Sequence, residues 1–191
     1  MSTIVVVKKN GIAAIGADTL TKFGSIRESA KYIDNHSKIV CAGDNYMAHV
    51  GHASFGLVTE SYFLQMRSLP KLDSPQAIFR MARAFHASLK EDYFLNPTED
   101  SDDPFESIQH QSLIANQFGI FGLYSLRSVQ EYTCFYSFGS GSEFALGAMH
   151  AVYNLDLSAE EIARAGLLAG AEFDHSTGEP IEIKTVNLKQ K

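Results

Sequence analysis

Hydrophobic positions along this chain fall first into short unbroken runs separated by glycine and polar turns, and then into blocks with helical spacing. Residues 3–9 and 12–18 are largely apolar and flank Asn10-Gly11, a dipeptide that tolerates positive φ and so predicts a two-residue hairpin turn. Strands whose apolar residues run on without alternating are buried on both faces, as in the middle of a layered domain. A second hairpin is predicted from residues 38–42 and 46–50, joined by Gly43-Asp44-Asn45. Beyond it, Phe55, Val58, Tyr62 and Met66 recur at helical spacing over residues 52–67. A second helix is predicted over 75–94, with Ser74 as N-cap and Pro75 in the first turn.

Three further strand-like runs lie at 112–115, 119–125 and 129–138, followed by helical patterns at 143–153 and 158–173 and a last strand at 180–186. The second of these helices opens Ser158-Ala159-Glu160-Glu161, a capping-box pattern with Glu161 at the third position. Strand and helix blocks are segregated, which predicts an α+β chain: a four-layer αββα sandwich of two antiparallel sheets between helical layers. The acidic, apolar-free stretch from Asn96 to Pro104 reads as a solvated loop within an insertion at about 96–107. It lacks the ligand and glycine pattern of a calcium loop.

Composition narrows the classes. At 191 residues and 45% hydrophobic content, the chain suits one domain, 1–191, with a sizeable core. A net charge of −6 and no basic run longer than Lys8-Lys9 argue against nucleic acid or an anionic membrane as partner. The opening residues lack the basic and apolar regions of a signal peptide, and no apolar stretch approaches about 18 residues, so a cytoplasmic protein is expected. Cys41 and Cys134 each sit in an apolar, strand-like run, which predicts buried, reduced thiols rather than a disulfide or metal site.

Candidate chemistry starts at the N-terminus. Removal of Met1, usual before a residue as small as serine, would leave Ser2 with a hydroxyl and a free α-amine, so that nucleophile and base share one residue. With Lys9 facing Ile12 across the first hairpin, Asp18 falls opposite Thr3, one residue from Ser2. Two polar turns complete the set. Gly139-Ser140-Gly141 leads from a strand into a helix and lacks the spacing of a nucleotide-binding loop, and Asp174-His175-Ser176-Thr177-Gly178 follows the end of another helix.

In chain order, the hairpin through Gly16-Ala17-Asp18-Thr19, the Gly51-His52-Ala53-Ser54 junction, Gly139-Ser140-Gly141 and Asp174 through Gly178 resemble the proteasome β-subunit and HslV family of N-terminal nucleophile (Ntn) hydrolases. The resemblance spans nearly the whole chain and looks most like the family's bacterial proteasome homologue (BPH) branch. It implies the Ntn-hydrolase fold and hydrolysis of peptide bonds by Ser2. Asp18 would pair with a catalytic lysine, which spacing from Gly51 assigns to Lys38, with Lys31 as the rival. Gly51 would supply an oxyanion donor. Ser140 and Asp174 would surround the α-amine, with Thr177 where the family usually has serine. Thr21, His49, Ala53 and Leu57 would bind substrate.

The resemblance further implies stacked homo-oligomeric rings acting on peptide or unfolded protein, with no cofactor. The chain has no ATP-binding motif, so an ATP-dependent unfoldase would be a separate partner. Serine in place of the usual threonine loses a β-methyl that restricts χ1. The competing expectations are a catalytically silent ring or scaffold with a blocked N-terminus, and an Ntn amidohydrolase acting on a small amide.

Overall fold

The computed structural model describes residues 2–98 and 100–189. The first hairpin, β1 (Thr3–Lys9) and β2 (Ile12–Asp18), forms in the predicted register, with Lys9 opposite Ile12 and Ile4 opposite Ala17. It is the centre of a four-stranded antiparallel sheet in the order β10-β1-β2-β11, where β10 is Phe135–Gly139 and β11 is Ile181–Asn187. A five-stranded antiparallel sheet, β5-β6-β7-β8-β9, is built from Ile39–Ala42, Asn45–Val50, Gln111–Asn116, Gly119–Leu123 and Val129–Tyr132. A small hairpin of β3 (Thr21–Phe23) and β4 (Ile26–Glu28) stands apart.

Layering explains the continuous apolar runs. Successive side chains on a strand face opposite ways: Ile4 and Val6 of β1 pack between the two sheets against Ala48, Val50 and Leu113. Val5 and Val7 pack on the other side against Met149, Ile162 and Leu167 of α3 (Ser142–Val152) and α4 (Ala159–Phe173). All four residues are fully buried, each contributing roughly 1.5–3 kcal/mol of hydrophobic stabilisation. Across the molecule, α1 (Ser54–Leu64) and α2 (Pro75–Glu91) cover the five-stranded sheet through Phe55, Phe63, Ile78 and Phe85. The result is the predicted αββα sandwich. Helix caps follow the sequence as well: the Ser74 hydroxyl accepts from Ala77 N–H, and Ser158 and Glu161 form a reciprocal capping box.

Several boundaries differ from the sequence reading. The run 129–138 is not one strand: it bends at Thr133 and Cys134, and β9 and β10 join different sheets. Residues 19–37, for which no strands are predicted, contain the β3–β4 hairpin around Gly24 and a 3₁₀ turn at Ala30–Tyr32. The first helix is shorter at both ends than 52–67, and the second stops at Glu91 rather than 94, where Phe94 takes a positive φ. Cys41 is exposed and Cys134 half-buried, both as free thiols, which corrects the expectation of buried ones. Residue 41 lies on the same side of β5 as Ile39, but β5 is an edge strand of its sheet, a placement that apolar composition alone does not reveal. The acidic loop is solvated, and its end is tied to α2 by Lys90 Nζ, 2.7 Å from Glu106 Oε2. Among the described residues no helix is long and apolar enough to cross a membrane.

Candidate active site

β2 is paired on both edges, with β1 and with β11, so its last residue, Asp18, is delivered to a fixed point beside the start of β1. Its carboxylate is fully buried and saturated with donors. Oδ1 accepts from Thr3 N–H at 3.0 Å and from Lys38 Nζ at 2.8 Å, and Oδ2 accepts from Leu20 N–H and Gly178 N–H, each at 3.1 Å. Lys38, immediately before β5, also donates to the Leu20 carbonyl at 2.7 Å and to Ser2 Oγ at 2.9 Å. One ammonium thus joins the Ser2 hydroxyl to the Asp18 carboxylate. Lys31 lies elsewhere, exposed on the 3₁₀ turn with its Nζ 5.5 Å from the Tyr32 ring centre.

Burial dominates the electrostatics of the pair. Desolvation lowers the Lys38 ammonium below the usual lysine range, opposed by the Asp18 charge and hydrogen bond. Desolvation likewise raises the Asp18 carboxyl, opposed by Lys38 and by the Thr3 and Gly178 N–H groups. Both shifts narrow the gap between the two groups. While charged, the lysine favours the anionic form of the hydroxyl it touches.

A second hydrogen-bonded set adjoins the first through Thr3. The Thr3 hydroxyl lies 2.6 Å from that of Thr177, and Thr177 Oγ1 and Ser140 Oγ each donate to Asp174 Oδ2 at 2.6 Å. Asp174 caps the C-terminal end of α4, and its Oδ1 accepts from Ser176 N–H. Burial would raise its carboxyl, but the Ser140, Thr177 and Ser176 bonds and nearby His175 together hold it below the usual range. Six of the seven sequence-predicted catalytic residues, Ser2, Asp18, Lys38, Ser140, Asp174 and Thr177, therefore fall into one connected network through Thr3, and Gly51 is not hydrogen-bonded into it. Gly51 lies just past the last ladder pair of β6 with φ of 143°, where a Cβ would sit 3.0 Å from His110 Cβ and 3.1 Å from the Gln109 carbonyl.

Sequence reasoning gave Thr3 and Leu20 no part in the site and named Gly139 and Gly178 only as members of their turns, without a role of their own. Gly139 pairs with Thr3 and has φ of 105°; a Cβ there would collide with the Ser2 carbonyl oxygen. Its signal was the Gly-Ser-Gly turn, but the close approach exists only because β10 docks beside β1. Of the residues assigned to substrate, Thr21 is half-buried on β3, and Ala53 and Leu57 are exposed at the start of α1. His49 is buried, its Nδ1 2.7 Å from Ser112 Oγ and its ring 5.5 Å from that of His110. A cleft of about 610 Å³ beside Lys8, Lys9 and Tyr153 is at the far end of β1, roughly 20 Å from Ser2 at about 3.3 Å per residue.

No protein-family profile matches the chain. Among curated proteins, the proteasome subunit beta of Nanoarchaeum equitans is 26% identical over 195 residues, spanning 99% of this chain and 94% of that protein. Among solved structures, Thiobacillus denitrificans BPH in complex with epoxomicin matches with a TM-score of 0.93 at 44% identity, covering 98% of this chain and all of that one. The chain belongs to the proteasome β-subunit/HslV family. A second structure of the same BPH matches with a TM-score of 0.94. HslV from Trypanosoma brucei, at 18% identity and a TM-score of 0.69 over 97% of this chain, shares the fold. This proteasome-like, BPH-like subunit is therefore an Ntn hydrolase of the peptidase class.

Proposed function

We propose that the chain is a catalytic subunit of a ring-shaped peptidase whose nucleophile is Ser2, freed by removal of Met1. The fate of Met1 lies outside the described residues. The observation that carries the reading is the Lys38 ammonium shared between Ser2 Oγ and Asp18 Oδ1. In the proposed reaction the Ser2 α-amine takes the hydroxyl proton, directly or through a water, as Oγ attacks the peptide carbonyl. The tetrahedral oxyanion is held by Gly51 N–H, an interaction worth about 100- to 1000-fold in rate at sites of this kind. The amine then returns the proton to the departing amino group, leaving an ester on Ser2. Water, deprotonated by the same amine, hydrolyses that ester and regenerates the hydroxyl. Asp18 keeps Lys38 charged and in place, and Ser140, Asp174 and Thr177 orient the N-terminal amine.

Substrate would lie extended along β3, whose edge away from β4 has no ladder partner among the described residues, beside the Gly51 turn. Thr21 would meet the substrate backbone, and His49, Ala53 and Leu57 would shape the first specificity pocket. Ring assembly is supported by α1, which offers Phe55 and Phe63 to the core and leaves Leu64 exposed to solvent at its end. A helix apolar on both sides is one that meets a second surface. Within this reading the chain acts as one domain in the cytoplasm, and any unfoldase is a separate chain.

Support from a relative points to the first test, since BPH of Thiobacillus denitrificans is known in complex with epoxomicin. Purified protein would be weighed intact before and after incubation with epoxomicin, a peptide epoxyketone that reacts with the hydroxyl and the free amine of one residue. The expected result is loss of Met1 and one adduct per chain, mapping to Ser2. Retained Met1 with no adduct would replace this reading with the silent-ring alternative. Loss of Met1 without an adduct would overturn Ser2 as nucleophile in favour of a structural N-terminus.

A further inference from the structure

We propose that Glu182 is a positioning residue for Lys38, acting through Ser37; the inference rests on the reading of Lys38 as part of the reaction. Lys38 has to satisfy three partners at once, Ser2 Oγ, Asp18 Oδ1 and the Leu20 carbonyl, all within 2.9 Å. Yet its own backbone lies outside the ladder, because β5 begins at Ile39 and pairs Ile39 with Ala48. The preceding residues, from the 3₁₀ turn to Ser37, are exposed or half-buried. Sheet hydrogen bonds do not fix residue 38. A side-chain bracket does so instead.

Ser37 Oγ donates to Glu182 Oε2 at 2.6 Å and accepts from Ile39 N–H at 3.2 Å. A hydroxyl has one proton and two lone pairs, so both bonds form together. The short bond to a carboxylate takes the proton in preference to the Ile39 carbonyl at 3.3 Å. The two bonds tie the residues on either side of Lys38 to a single atom, and through it to β11. Glu182 is itself held: Lys184 Nζ lies 3.0 Å from its other oxygen, Oε1.

The strand that carries the bracket makes it useful. β11 pairs Ile181 with Asp18 and Glu182 with Ala17, so Glu182 is one residue removed from the carboxylate that Lys38 must meet. Along β11, Ile181 and Ile183 turn to the helical layer, which sends Glu182 and Lys184 to the opposite face, toward the five-stranded sheet. Both ends of the Lys38–Asp18 contact therefore hang on the β2–β11 pair. Movement of the five-stranded sheet against its neighbour would pull the Lys38 backbone away from Asp18; the Ser37–Glu182 bond resists that movement at the position where it matters.

The test compares labelling of the purified full-length chain by a peptide epoxyketone, as a maximal rate and a half-saturating concentration, across Glu182→Ala, Ser37→Ala, the double variant and Glu182→Gln. Misplacing a reacting group by a fraction of an ångström is expected to lower the maximal rate by about 10-fold in either single alanine variant, with half-saturation unchanged. The double variant should be no slower than the slower single, because both changes break one bracket. Glu182→Gln keeps an oxygen that accepts from Ser37 and should recover the rate to within about 3-fold. A wild-type rate in Glu182→Ala, or single effects that multiply in the double variant, would overturn the proposal. Lys38→Ala separates the two levels. If that variant still labels, the active-site reading fails and this inference with it; if it is silent while Glu182→Ala labels normally, only this inference fails.

Discussion

At the scale of single residues, two lysines were in competition for one role, and geometry separates them. Lys38 Nζ reaches both Ser2 and Asp18, whereas Lys31 is exposed over Tyr32. Lys38→Ala is therefore expected to abolish epoxyketone labelling of Ser2 and Lys31→Ala to leave it unchanged, as read by adduct mass. The reverse pattern would transfer the role to Lys31. Asp18→Asn should slow labelling by at least about 10-fold, since a neutral amide cannot hold the ammonium in place; an unchanged rate would remove Asp18 from the mechanism. Lys38 was picked out only through the family resemblance, by its spacing to Gly51, whereas the place of Asp18 beside Thr3 was legible from hairpin register. Thr3 was not, because its hydroxyl meets Thr177 across 174 positions of sequence, a closeness that no local pattern encodes.

Elements were legible where backbone chemistry is local. Asn10-Gly11 sets its hairpin because both residues adopt positive φ, and Ser158 with Glu161 starts α4 by satisfying backbone donors within four residues. The β9–β10 stretch was not legible. Val129 to Phe138 contains no glycine or proline to mark a break, and its division at Thr133 and Cys134 arises because β9 completes one sheet while β10 pairs with β1 in the other. Helix α1 makes a prediction at this scale. Leu64 is 79% exposed at its end, so Leu64→Glu should leave the melting temperature within a few degrees of the parent. It should also weaken assembly, seen as a shift toward smaller species in sedimentation velocity. An unchanged distribution of species would exclude this face of α1 from the subunit interface.

The whole molecule carries a pH dependence in its core. His49 is pushed down to about 3 by burial and by His110, and His110 to about 4 by burial. Each is neutral when folded and free to protonate near its ordinary value of about 6.5 when unfolded. Depressed folded values mean that the stability is fully present above about pH 6.5 and is lost as pH falls toward 4. The expected loss is about 1.4 kcal/mol per pH unit for each histidine, once below about pH 6. Denaturant unfolding between about pH 7 and pH 5 measures the slope. A His110→Phe variant should show a shallower slope than the parent, and a flat profile in the parent would contradict the assignment.

The sequence by itself determined the layered class, the first hairpin and its register, the caps of α2 and α4, and the short roster of polar residues from which a site could be drawn. These depend on φ preference, alternation and hydrogen bonds between near neighbours. Only the tertiary structure decided that Lys38 faces Ser2, that Gly139 must be glycine to let the Ser2 carbonyl pass, and that Glu182 stands behind Ser37. Each of these depends on how two sheets and their edge strands dock. Docking is set by the summed packing of the core, and no short stretch of chain contains it.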